Sequence, residues 1–171
     1  MLLIKLGVNM KKMLAYIAIS TLAAAFLISA NYASANEEND SLPHVEGNYQ
    51  FPPTRWAVVR HTLRVHVPKN SKDVSQLNIE VPSTVRWSND INDVVVNKEN
   101  GQKINANVSL NGKTILLAFA EPVAPNSKLE IDIKNVKQPF LGNGPVYYLS
   151  ANFIGSDAKI PIGVARFRIS P

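Results

Sequence analysis

The chain of 171 residues contains no cysteine. That absence excludes disulfide staples, thiol catalysis and thiolate metal sites, so a hydrophobic core must hold any fold unaided. Histidine is scarce, at three residues. No block of like charges occurs, and beyond residue 56 no window places apolar groups at the i, i+3, i+4, i+7 spacing of an amphipathic helix.

What is present begins with an address. Lys11 and Lys12 precede an apolar stretch from Met13 to Ile28, and Ala33-Ser34-Ala35 supplies the small residues a signal peptidase requires. Residues 1–35 are expected to be a secretory leader cleaved after Ala35, with Met10 as an alternative start. The rival reading is a membrane anchor, but the run falls short of the roughly 20 apolar residues a span needs. Cleavage would leave 136 residues, enough for one domain with a real core. It would also lower the formal charge from +5 to +2, because Lys5, Lys11 and Lys12 depart while every acidic residue stays. That balance gives no nucleic-acid signature, and no membrane span is expected after cleavage. A cysteine-free exported domain points to a bacterial periplasm, envelope or extracellular space, where the Asn107-Val108-Ser109 sequon has little weight.

Residues 36–56 are acidic, polar and proline-bearing, without periodicity, and read as a flexible lead-in to a domain spanning 57–171. Within that domain apolar residues alternate. Leu63, Val65 and Val67 oppose Thr62, Arg64 and His66, and Leu77, Ile79 and Val81 repeat the device. Short peripheral strands are predicted at 85–87 and 93–97. Ile104, Ala106, Val108 and Leu110 form one arm of a hairpin, Ile115, Leu117 and Phe119 the other, with Asn111-Gly112 as a type I′ turn. Leu129, Ile131 and Ile133 line a further strand, and "VYYLSANF" and "IPIGVARFRI" close the series. About seven or eight short strands without a helix predict an all-β fold, an antiparallel immunoglobulin-like β-sandwich, with a small barrel as the other solution.

The order "FAEPVAPNSKLEIDIKNVKQP", "GPVYYLSANFIGSD" and "PIGVARFRI" resembles the cyanobacterial family of domain of unknown function 2808. "RHTLRVHVPKN" and "LNIEVP" look like that family's first two strands. Gln138-Pro139 and Asn126 depart from its turn pattern. The resemblance covers about residues 57–170 and implies a bacterial, cyanobacterial exported protein; it implies no activity and transfers no catalytic residue.

No catalytic, metal or cofactor site emerges from the residues themselves. His61 and His66 lie an odd number of places apart on one strand and face opposite sides, and His44 falls in the lead-in. Asn89, Asp90, Asn92 and Asp93 cluster oxygen atoms that could suit calcium but read better as a turn bonded to its own backbone. Glu130 and Asp132 share a strand face at a spacing of about 7 Å, yet Lys128 and Lys134 flank them as ordinary charge pairs. Trp56 and Trp87 read as core anchors or lids.

The last two strands carry the candidate ligand surface. If Tyr147, Leu149, Ala151, Phe153, Phe167 and Ile169 point inward, then Tyr148, Asn152, Arg166 and Arg168 form an outward row; the reverse assignment of the two tyrosines would put Tyr147 in the row instead. Such a row suits an anionic polysaccharide or lipid headgroup, because a phenol ring stacks on sugar and guanidinium forks to carboxylate or phosphate. The alternative is a solvated sheet face that binds nothing. The functional expectation is a non-enzymatic binding or structural module of the cell envelope, its partner an anionic wall polysaccharide or another envelope protein. A glycan- or peptide-processing hydrolase with an unrecognised site is the other reading.

Overall fold

Residues 41–53, 57–139 and 142–169 are described by the computed structural model. The expected leader, most of the acidic opening and Trp56 lie outside the described residues. An extended chain that is apolar at every second position buries one side only when another layer covers it, and two packed sheets are the outcome. The strands are β1 (His44–Phe51), β2 (Val58–Val67), β3 (Val74–Glu80), β4 (Val94–Lys98), β5 (Ala106–Asn111), β6 (Thr114–Val123), β7 (Ser127–Lys137), β8 (Val146–Phe153) and β9 (Ile160–Arg166). They pair in the orders β1-β2-β7-β4 (sheet A) and β5-β6-β3-β8-β9 (sheet B). Every ladder is antiparallel.

The expected alternation builds the core. Leu63, Val65 and Val67 on β2 and Leu129, Ile131 and Ile133 on β7 join Leu77, Ile79, Ile115, Leu117 and Leu149 from sheet B in one cluster. None of these is more than 2% exposed. Each contributes roughly 1.5–3 kcal/mol by leaving water, the term that replaces the missing disulfides. The architecture is the expected immunoglobulin-like two-layer sandwich.

Three details correct the sequence reading. Residues 44–51, taken as lead-in, form β1, which pairs with β2 from His44↔His66 to Phe51↔Arg60. Its periodicity was hidden for a physical reason: a bulge lies between Val45 and Gly47, and the residues opposite core positions Leu63 and His61 are the polar Asn48 and Gln50. The β5–β6 hairpin closes on the pair Asn111↔Thr114, so Gly112 and Lys113 occupy the turn. Gly112 has φ 60° while Lys113 is not left-handed, the pattern of a type II′ turn in place of type I′. Finally, Ala106, Val108 and Leu110 on β5 are only half-buried.

Glycine at two positions lets the C-terminal strand dock. Gly144, at φ 77°, lies where an added Cβ would stand 1.8 Å from the Phe167 carbonyl oxygen. Gly163, at φ 125°, gives room to Val45 of β1. The edges of the two sheets meet there, and Asn48 donates from Nδ2 to the Arg166 carbonyl at 3.0 Å.

Candidate functional site

The β8–β9 pair has the inward and outward assignment expected of it. Tyr147, Leu149, Ala151, Phe153 and Phe167 are buried, while Tyr148 is 57% exposed and Arg166 and Arg168 are exposed. Ile169 is half-buried. Register then separates the four candidate residues. Tyr148 lies between Glu80 of β3 and Val164 of β9. Arg166 opposes Val146, one diagonal step from Tyr148, about 7 Å away in sheet geometry. Arg168 follows beyond the strand end, held by the Phe167 N–H bond to the Pro145 carbonyl at 3.0 Å.

Asn152 does not join them. It sits four residues along β8 from Tyr148, about 13 Å by strand rise. Its side-chain oxygen accepts from Asn78 Nδ2 at 2.8 Å, and its Nδ2 donates to the Asp157 carbonyl at 3.1 Å. Asn78 Oδ1 in turn accepts from Gln76 at 2.6 Å. This amide ladder crosses β3 and β8 and holds their outer faces together.

A groove of about 420 Å³ runs beside Tyr148, with Glu80, Thr114, Lys159, Pro161 and Val164 along its walls. Val164 is 49% exposed, so a phenol ring and an isopropyl group stand side by side in solvent. Sequence reasoning missed Val164, Glu80 and Lys159. The signal for Val164 was its alternation with Arg166, whereas Glu80 reaches the site only through the non-local β3–β8 pairing.

The arginines of β2 differ from those at the C-terminal end. On the outer face of sheet A, Arg60 lies 3.5 Å from Asp132, and Arg64 lies 3.5 Å from both Glu46 and Glu99 and 3.8 Å from Glu130. Lys128 completes that network at 2.8 Å from Glu46; the bond holds the Glu46 carboxyl below its ordinary value and raises Lys128. Glu130 and Asp132 are therefore paired with β2 cations, not with Lys128 and Lys134 of their own strand as the sequence suggested. Arg166 and Arg168 have no carboxylate within ion-pair distance among the described residues.

The remaining candidates fall into structural roles. His61 is buried, its Nδ1 2.8 Å from the Tyr147 hydroxyl and its Nε2 3.4 Å from Gln138 Oε1. His66 faces the other way and meets His44 edge-on at 5.1 Å between ring centroids. Among the described residues no group of three His, Asp or Glu side chains is placed to hold a metal ion. Asp90 caps the 3-10 turn Ile91–Asp93 by accepting from the Asn92 N–H, and Asp93 accepts from Ser88 and Asn135. The "SNDIND" stretch is thus a self-bonded turn. Trp87 is half-buried against the core.

Fold and surface together define a two-layer antiparallel sandwich with two exposed arginines, Arg166 and Arg168, beside Tyr148 at its C-terminal end. The chain belongs to the family described as "Protein of unknown function (DUF2808)", whose profile matches residues 38–168. No curated protein matches it. Among solved structures it is similar to the RrgA Jo.In complex, at 8% identity and TM-score 0.48 over 71% of this chain and 75% of that one. It is similar also to the pilus backbone RrgB from Streptococcus pneumoniae, at 7% identity and TM-score 0.46 over 66% of this chain and 31% of that one. A third is the collagen-binding subdomain of the Enterococcus faecalis surface protein ACE, at 8% identity and TM-score 0.44 over 70% of this chain and 94% of that one. Among the described residues no helix is long and apolar enough to cross a membrane.

Proposed function

We propose that this chain is an exported, non-enzymatic module of a cyanobacterial cell envelope that binds an anionic wall polysaccharide through Tyr148, Arg166 and Arg168. One observation carries the reading: the β2 arginines Arg60 and Arg64 face carboxylates, while the two arginines beside Tyr148 face none among the described residues. A guanidinium held on a strand without a counter-ion is ready to fork to a uronate or phosphate, and the exposed phenol ring beside it offers a face for a sugar. The export half rests on Lys11, Lys12, the apolar run and Ala33-Ser34-Ala35.

The protein expressed from its full sequence should sediment with isolated cell-wall polysaccharide at low salt. Arg166→Ala with Arg168→Ala should release most of it, and added salt should do the same to the parent protein. Equal retention of parent and double variant removes the surface from consideration. Fractionation of the native cell, with the first residue of the mature protein determined, tests export separately. Asn36 as that residue supports the leader; an unprocessed cytoplasmic protein overturns it.

A further inference from the structure

The four sheet edges are not treated alike. At the β1 edge a bulge breaks the register, and at the β9 edge Pro161 cannot donate and the register shifts again; these two edges face each other through the Asn48 bond to Arg166. The β4 edge is occupied by the crossing chain, where Ile104 N–H donates to the Val96 carbonyl and Lys98 N–H to the Gln102 carbonyl, both at 2.8 Å. Only β5 is open. Its residues Ala106–Asn111 pair with β6 in unbroken register and include no charge, proline or glycine. Protein sheets usually blunt an exposed edge with just those devices, and an edge that lacks them is a template for another strand.

The hairpin fixes which groups are free. Asn111↔Thr114 closes a two-residue turn and so exchanges hydrogen bonds, as do Ser109↔Leu116 and Asn107↔Ala118. The N–H and C=O groups of Ala106, Val108 and Leu110 therefore point away from β6, and among the described residues no main-chain group meets them. The same three side chains are half-buried. Beside them a groove of about 330 Å³ is walled by Ile91, Val94 and Ile104.

We propose that β5 pairs antiparallel with β5 of a second copy of this chain, about a two-fold axis at Val108, to form a continuous sheet across the dimer. The strand is its own complement. Val108 meets Val108 of the other copy, Ala106 meets Leu110, and each facing pair exchanges main-chain bonds. Incoming apolar side chains fall on the groove side of the sheet and cover Ile91, Val94 and Ile104, while Asn107 and Ser109 lie opposite one another on the outer side. An acidic or basic partner strand finds no counter-charge on this edge, and an uncharged one with matching alternation needs none. Lys103 precedes the paired segment and Lys113 follows it in the hairpin turn, so both ends of the seam carry positive charge. Association should therefore strengthen as salt rises, the reverse of polysaccharide binding.

Sedimentation velocity on the protein expressed from its full sequence should show a reversible dimer. The double variant Asn107→Lys with Ser109→Lys places lysines face to face on exposed positions and should weaken that dimer about tenfold or more without lowering the melting temperature. Amide exchange at Ala106, Val108 and Leu110 should slow as protein concentration rises. A monomer at every concentration, or a dimer unaffected by the two lysines, overturns the proposal. Amides protected equally at all concentrations overturn it too, since a segment of the same chain would then cover the edge.

Discussion

The hydroxyl of Tyr147 on β8 lies 2.8 Å from Nδ1 of His61 on β2, a hydrogen bond that crosses the core from one sheet to the other. Both residues are fully buried, and Phe167 stacks on the imidazole with ring centroids 3.9 Å apart. Gln138 Oε1 can only accept, so the ring carries its proton on Nε2 and Nδ1 accepts from tyrosine. Burial pushes the Tyr147 phenol up, which keeps it a donor.

Desolvation lowers the His61 pKa from 6.5 to about 4. Between those values the unfolded chain binds a proton that the folded chain refuses, so stability rises with pH across the interval and is lost as pH falls through it. The expected loss from His61 is about 3 kcal/mol between pH 7 and pH 4. Urea unfolding at a series of pH values should show this slope, and His61→Phe should remove it. A variant with the same slope as the parent would assign the acid sensitivity to other groups.

Removing the tyrosine hydroxyl tests the same contact at fixed pH. Tyr147→Phe leaves Nδ1 buried without its donor, which should cost about 1–3 kcal/mol at pH 7. Combined with His61→Phe it should cost less than the two separate losses added together, because the second change removes a group already unpaired. Strict additivity would mean that the bond does not form in solution.

This cross-sheet pair shows where sequence reading stops. Alternation on β2 and β8 correctly placed His61 opposite to His66 in direction, and Tyr147 opposite to Tyr148, because side-chain direction follows from strand period alone. Which inward residue meets which depends on sheet order, and β2 ends at Val67 whereas β8 begins only at Val146. The outer face follows the same division. The neighbours Val164 and Arg166 come from a local hairpin and are legible, whereas Glu80 against Tyr148 and Arg64 against Glu130 arise from strands distant in sequence. β1 escaped because its inward positions hold Asn48 and Gln50, so no hydrophobic alternation marks it.

Gly144 should tolerate no side chain. A Cβ there would stand 1.8 Å from the Phe167 carbonyl oxygen, a backbone atom that cannot swing aside, and the φ of 77° is itself unfavourable for alanine. Gly144→Ala should destabilise the protein by about 2 kcal/mol or more and should loosen the C-terminal strand first. Amide exchange at Phe167 and loss of polysaccharide binding report that loosening. Gly142→Ala makes a control, since its added Cβ meets nothing within 4 Å although its φ of 116° carries backbone strain of its own. If the two variants melt alike, the close approach at Phe167 contributes nothing.

The two β7 carboxylates that looked equivalent in sequence should behave differently. Asp132 accepts from the buried Thr62 hydroxyl at 2.6 Å and is 15% exposed, whereas Glu130 is 29% exposed and touches Arg64 only at 3.8 Å. Asp132→Ala strips a buried hydroxyl of its acceptor, and the cost should be about 1–3 kcal/mol. Glu130→Ala leaves Arg64 with Glu46 and Glu99, and as a surface pair it should cost under about 1 kcal/mol. Salt separates the two losses further: the ion pairs of Arg64 with Glu130 and of Arg60 with Asp132 are screened as ionic strength rises, while the Asp132 bond to the uncharged, buried Thr62 hydroxyl is not. The loss at Asp132 therefore keeps a part that salt does not remove. Chemical denaturation of both variants in low and high sodium chloride gives the comparison. Equal losses at the two positions would mean that Thr62 finds another acceptor when Asp132 is removed.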